Sequence, residues 1–216
     1  MPLSHFEFDQ QNIASGFIKG KVGDIEVLIS LPKVLSDTSP VAVISHPHPL
    51  YGGSMTNKVV HILAKTFTAL DAITVRFNFR GVGKSEGKYD EGIGEADDLQ
   101  VIVKLLQEWR PKAPIWLAGF SFGAYVTTRA QAALDVEKLL LVAPPVSMYP
   151  FDELEEITCP WVVIQGGQDE VIDANAVKSW ISARANQPQL IWMEEASHFF
   201  HGKLIEVKDA LLAAWV

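Results

Sequence analysis

Pro114-Ile-Trp-Leu-Ala-Gly-Phe-Ser-Phe-Gly-Ala-Tyr125 is an apolar run of strand length that ends in Gly119-x-Ser121-x-Gly123 and passes at once into a helical pattern. A chain that turns from strand to helix in so few residues holds the central residue in a strained conformation, its side chain projecting from the turn. Glycines two positions before and after keep side chains out of the space where strand and helix nearly touch. A serine at that point lies at the carboxyl edge of a sheet, beside a helix N-terminus whose free N–H groups can hold an oxyanion. Ser121 is therefore the candidate nucleophile.

The same pattern recurs in Gly83-Lys-Ser85-Glu-Gly87, but in the wrong context. A glycine-containing loop precedes it, and Lys88-Tyr-Asp-Glu-Gly-Ile-Gly94 cannot be an immediate helix. Ser85 is expected to shape a loop after a strand. Gly81-Val-Gly83-Lys84-Ser85 also resembles the end of a phosphate-binding loop. That motif needs glycine where Asn78 stands and a helix starting at its Lys-Ser, so nucleotide binding is disfavoured.

The 216 residues, 48% apolar and 20% charged, suit one globular domain spanning the whole chain. A net charge of −8 without a basic cluster argues against nucleic acid and weakly against anionic membranes. A single cysteine, Cys159, excludes an internal disulfide. The first residues carry neither the basic stretch nor the apolar core of a secretory leader, and no apolar run could span a bilayer. The expected setting is cytoplasmic. Nothing in the sequence sets an oligomeric state.

Segments 17–21 and 26–30 flank Val22-Gly23-Asp24 and read as a β-hairpin. Buried strands are then expected at Val41–Ser45, Ile73–Phe79, the apolar run from Pro114 into the elbow, Lys138–Ala143, Trp161–Gln165 and Leu190–Met193, with helices between them. One helix runs from Glu95 to Trp109, with acidic Glu95, Asp97 and Asp98 at its start and Arg110 at its end, as the macrodipole prefers. Others cover about 122–133, 174–185 and 203–215. Continuous apolar strands joined by helices imply a doubly wound, mostly parallel sheet of about eight strands with helices on both faces.

A serine hydroxyl needs a base within hydrogen-bond reach, and the base needs a third group to orient it. In such a sheet both belong in loops past the carboxyl ends of later strands. Gln165-Gly-Gly-Gln-Asp169-Glu-Val-Ile-Asp173 and Glu194-Glu-Ala-Ser-His198-Phe-Phe-His201 qualify. The chain order Ser121, Asp169, His198 fits a strand-turn-helix elbow. Asp173 is read as a helix cap and Glu170 as the reserve acid. His201, next to Gly202 and the last helix, is read as a capping or surface residue.

An oxyanion hole needs the Phe122 N–H and a donor from Ser45-His46-Pro-His48-Pro-Leu50-Tyr51-Gly52-Gly53. Pro47 and Pro49 have no N–H. Alignment with a His-Gly-x-x-Gly loop makes Leu50 the first choice and His48 the alternative. His46-x-His48 as half a metal site is disfavoured, because no carboxylate or thiol accompanies the pair. No cofactor is called for.

With these residues assembled, the chain resembles the α/β-hydrolases from about Phe17 to its end. Asn78-Phe-Arg-Gly-Val-Gly-Lys-Ser85 is similar to the Arg-Gly-x-Gly-x-Ser loop that many members carry after their fourth strand. His46-Pro-His-Pro-Leu-Tyr-Gly-Gly-Ser-Met-Thr-Asn-Lys-Val59 resembles a subgroup of small bacterial members without a cap, near the dienelactone-hydrolase and serine-aminopeptidase branches. The resemblance implies Ser-His-Asp chemistry, with serine where dienelactone hydrolases use cysteine, and lipase-like His-Gly-Gly-Gly is absent. About 17 residues between Ala143 and Trp161 are too few for a helical cap. Residues 150–157 are expected to hold at most one short helix, leaving a shallow open site. Tyr51, Met148, Tyr149, Phe199 and Phe200 are candidate wall residues for a small-molecule ester or thioester. A peptidase or amidase, and a non-catalytic binding protein of the same fold, are the alternatives.

Overall fold

In the computed structural model, residues 6–215 are described, and they form eight strands and five helices. The first five residues, part of the segment read above as lacking a leader, lie outside the described residues, as does Val216. In chain order the elements are β1 (Ile13–Lys19), β2 (Asp24–Ser30), β3 (Val41–Ser45), α1 (Lys58–Ala69), β4 (Ile73–Phe77), α2 (Ile93–Trp109), β5 (Ile115–Phe120), α3 (Phe122–Gln131), β6 (Lys138–Val142), β7 (Trp161–Gly166), α4 (Ala174–Ser182), β8 (Gln189–Met193) and α5 (Leu204–Trp215). They build one sheet in the order β1-β2-β4-β3-β5-β6-β7-β8. β1 and β2 pair antiparallel, as do β2 and β4; every later pairing is parallel.

The parallel strands read as continuous apolar runs because both faces are covered. Along β5, Ile115 and Leu117 turn toward Leu99, Ile102 and Leu106 of α2 and Val126 of α3. Trp116, Ala118 and Phe120 turn the other way, onto Leu63 and Phe67 of α1 and Leu211 and Trp215 of α5. α4 joins the first face through Val177 and Ile181.

The hairpin differs from the sequence expectation. Its turn closes with the Gly20 N–H on the Gly23 carbonyl at 2.8 Å, and β1 begins at Ile13, paired with Ser30. Ala14-Ser15-Gly16 has little strand propensity of its own, so pairing with β2 imposes the conformation. β4 stops at Phe77, two residues early: the Asn78 N–H still donates to the Glu26 carbonyl at 2.9 Å, but its Oδ1 accepts the Met55 N–H, and the Phe79 N–H turns away to His46 Nε2. α4 ends at Ser182, three residues before the expected Ala185.

The acidic start of α2 does more than oppose a dipole. Glu95 accepts the Gly92 and Asp90 N–H groups at 2.8 and 2.9 Å. Asp98, buried, receives both forks of Arg80 at 2.8 Å, which fastens the loop after β4 to this helix. Ser85 shapes the same loop, donating to the Asn78 carbonyl and accepting the Glu26 N–H. Between β6 and β7 the only helical element is a single 3-10 turn, Phe151–Glu153, so no lid covers the carboxyl end of the sheet. Phe151 anchors that turn in the core, and Arg184 ties it to α4 through Asp152 and Glu156.

Candidate active site

Ser121 turns the chain from β5 into α3 at φ 54° and ψ −121°, a region that costs an L-residue about 1–3 kcal/mol. The surroundings hold it there. Its N–H extends the sheet to the Val142 carbonyl at 2.8 Å, and its carbonyl accepts the Ala124 N–H at 2.7 Å. A Cβ on Gly119 would overlap the Gly123 carbonyl, and one on Gly123 would overlap the Ser45 carbonyl. Close approach of β5, α3 and β3 therefore requires both glycines.

The loops after β7 and β8 run alongside each other, joined by the Gly167 N–H on the Met193 carbonyl (2.8 Å) and the Gln168 N–H on the Ala196 carbonyl (3.0 Å). They bring Asp169 and His198 to Ser121. His198 Nε2 lies 3.1 Å from Ser121 Oγ, and His198 Nδ1 lies 2.9 Å from Asp169 Oδ2. Asp169 Oδ1 accepts the Val171 and Ile172 N–H groups, and Oδ2 also accepts Gln165 Nε2 at 3.1 Å. Burial pushes this carboxyl up, but the His198 contact and the two amides outweigh it and leave the group below its ordinary 3.8. An ionised Asp169 is an acceptor only, so it assigns the proton to Nδ1 and turns the Nε2 lone pair toward the serine hydroxyl. Asp173 caps α4, accepting the Asn175 and Ala176 N–H groups. His201 stands exposed against Phe199, outside this row.

Three contributors were not singled out from the sequence in these roles. Gln165, fully buried at the end of β7, steadies Asp169. Glu170 accepts the backbone N–H of His198 at 3.0 Å. Phe120 backs the imidazole with ring centroids 5.1 Å apart. A polar residue closing an apolar strand just before Gly-Gly was the available signal for Gln165.

In the loop after β3 the two oxyanion candidates have different hydrogen-bond surroundings. Pro49–Tyr51 forms a 3-10 turn in which the Leu50 N–H donates to His48 Nδ1 at 3.2 Å. The Leu50 amide thus faces a local acceptor, and the Tyr51 and Gly53 amides both donate to the His48 carbonyl. The His48 N–H has no acceptor among the described residues. Phe122 opens α3, where first-turn amides lack intrahelical acceptors. The His48 and Phe122 rings lie 4.8 Å apart, so loop and elbow are in contact. His46 is occupied at both nitrogens: Nδ1 donates to the Pro47 carbonyl at 2.6 Å and Nε2 accepts the Phe79 N–H at 3.0 Å. Burial pushes its pKa down to about 4. It staples the loops after β3 and β4, with no lone pair left for a metal.

Tyr51 (86% exposed), Met148 (58%) and Phe199 (38%) stand at the surface, and Phe199 packs edge-on against His198. Tyr149 stacks on Tyr125 at 4.7 Å. Phe200, read as a possible wall residue, is fully buried in the core beneath α1 and α5. Its φ of 52° directs the chain inward there.

A family model described as an alpha/beta hydrolase domain matches residues 43–208. A serine hydrolase without a lid from Xanthomonas campestris is 41% identical over 96% of this chain and 95% of its own, with a TM-score of 0.90. A serine hydrolase homologue from Coxiella burnetii is 43% identical, covering 97% of this chain and 100% of its own, with a TM-score of 0.91. An uncharacterised protein of Rickettsia prowazekii is 35% identical over 90% of this chain and 85% of its own length. With a lidless eight-stranded sheet and a strained serine at its carboxyl edge, the chain belongs to the alpha/beta hydrolase family.

Proposed function

We propose that the protein hydrolyses carboxylic esters or thioesters through an acyl-enzyme on Ser121. The observation that carries this reading is the unbroken row Ser121 Oγ, His198, Asp169 at 3.1 and 2.9 Å. Ser121 Oγ attacks the carbonyl carbon while His198 Nε2 takes its proton. Asp169 holds the tautomer and stabilises the resulting imidazolium. The developing oxyanion is held by the Phe122 N–H and, in place of Leu50, the His48 N–H. Collapse of the tetrahedral species breaks the bond to the alcohol or thiol, which leaves with the proton from His198. Water, deprotonated by the same imidazole, then releases the acid and restores Ser121.

The substrate is a small molecule, or a larger one engulfed only near its ester. Without a lid, the exposed apolar side chains Leu50, Tyr51, Met148, Val171 and Phe199 stand in the loops that follow β3, β6, β7 and β8 at the carboxyl end of the sheet. An open apolar rim favours an apolar acyl or alcohol group laid across the surface over a long chain drawn into a tunnel. Turnover of a series of p-nitrophenyl esters, set beside aminoacyl p-nitroanilides, tests the assignment. Ester turnover abolished by Ser121→Ala supports it. Faster cleavage of the anilides would transfer the protein to the amidases, and no turnover of either set by folded protein would overturn the reading.

A further inference from the structure

On the α1 face of the sheet, Arg76 projects from the middle of β4 and is only 6% exposed. Its Nη1 donates to the Met55 carbonyl at 3.2 Å and faces His61 Nδ1 at 3.4 Å, while its buried Nε has no partner. Among the described residues no carboxylate pairs with it. Its register neighbours, Leu28 on β2 and Ile44 on β3, are apolar and offer no counter-charge. A buried guanidinium with neither counter-charge nor full hydrogen bonding is strongly disfavoured unless something supplies the missing acceptors.

Arg76 lines a cavity of about 180 Å³ between α1 and the β1–β2 hairpin. His61, Lys65 and Thr68 edge it from α1, at positions i, i+4 and i+7 of one helical face, and Ser30 and Gln11 edge it from the hairpin side. No aspartate or glutamate lines it, in a chain whose net charge is −8. The residues around Ser121 take no part in it.

We propose that this cavity binds a phosphate group. Arg76, Lys65 and the His61 imidazole supply cationic or N–H donors, and the Ser30 hydroxyl, the Gln11 amide and the Thr68 hydroxyl, which also meets Thr74 Oγ1 at 3.3 Å, supply neutral ones. That set exceeds what two carboxylate oxygens can accept and suits the three terminal oxygens of a phosphoryl group. The volume holds the phosphoryl group and a few further atoms, so any organic remainder projects into solvent. Free phosphate and a small phosphate monoester share this chemistry.

The test is calorimetric titration of the full chain, at constant ionic strength, with inorganic phosphate, with phenyl phosphate, and with acetate as the carboxylate control. Saturable binding of either phosphate below about 10 mM, and tighter than acetate, is expected. Tighter binding of the monoester identifies an organic ligand, and tighter binding of inorganic phosphate identifies the free ion; either supports the site. Lys65→Ala, an exposed position, should weaken binding about fivefold to tenfold, Arg76→Met should abolish it, and Ser121→Ala should leave it unchanged. Absence of saturation, acetate binding as tightly, or full affinity in Lys65→Ala would each overturn the proposal, and the Lys65 variant decides it even if Arg76→Met fails to fold.

Discussion

The backbone N–H of His198 donates to the Glu170 carboxylate at 3.0 Å, one residue along from the Asp169 that holds the same histidine's ring. One short loop thus grips His198 by backbone and by imidazole. Because Glu170 is exposed, its removal should leave folding intact while loosening the angle at which Nε2 meets Ser121. Glu170→Ala is expected to lower kcat about threefold to tenfold with KM little changed, and Glu170→Gln, which keeps an acceptor, to stay near wild type. Steady-state kinetics on an ester read this out. Full kcat in the alanine variant would show that the grip is irrelevant.

Backbone strain at Ser121 makes a prediction about stability instead of rate. Glycine tolerates φ 54° and ψ −121° without the penalty borne by residues with a Cβ, but loses more entropy on folding. The balance favours Ser121→Gly over Ser121→Ala by about 1 kcal/mol, although both lack the nucleophile. Urea unfolding of the two inactive proteins gives the answer; a less stable glycine variant would mean the elbow is relaxed.

His46 is completely buried and neutral, its pKa pushed down to about 4 from 6.5. Between those values the unfolded chain binds a proton that the folded protein resists, so stability rises with pH across this window and falls on acidification. The full swing is about 3 kcal/mol. His48 and His61 are also pushed down by burial, so the informative quantity is the difference between wild type and His46→Asn. That variant should unfold with a shallower pH slope between 6.5 and 4. Parallel slopes would contradict the assignment.

The Arg80–Asp98 pair is buried on both sides and bidentate. Asp98→Asn leaves the guanidinium with only the more distant, exposed Asp90 at 3.7 Å as counter-charge and is expected to cost about 3 kcal/mol. Arg80→Met combined with Asp98→Leu removes both charges and should recover most of that loss. Chemical denaturation of the three variants checks it, and a neutral Asp98→Asn would show that Arg80 finds solvent.

Much of this was legible in the sequence because it depends on local pattern. The β5 run and Gly119-x-Ser121-x-Gly123 announce an elbow, since only glycine fits where β5, α3 and β3 crowd together. The parallel strands are apolar throughout because both faces are buried. The start of β1 was not legible, because Ala14-Ser15-Gly16 becomes strand only by pairing with β2. Nor was the fate of the Leu50 amide, which depends on the His48 ring swinging back over its own turn. Phe200 sits between the exposed Phe199 and His201, and its left-handed backbone sends it into the core. Contacts between loops far apart in sequence, such as Glu170 with the backbone N–H of His198, leave no periodic trace.

The most direct test of the proposed chemistry is covalent labelling with a fluorophosphonate probe, read by intact mass and peptide mapping. Attack by Ser121 Oγ on phosphorus with loss of fluoride should add one probe per chain, on the peptide carrying Ser121. Ser121→Ala should take up none, and His198→Gln should react at least about a hundredfold more slowly. Folded wild-type protein that stays unlabelled, or carries the probe on another residue, would contradict the account.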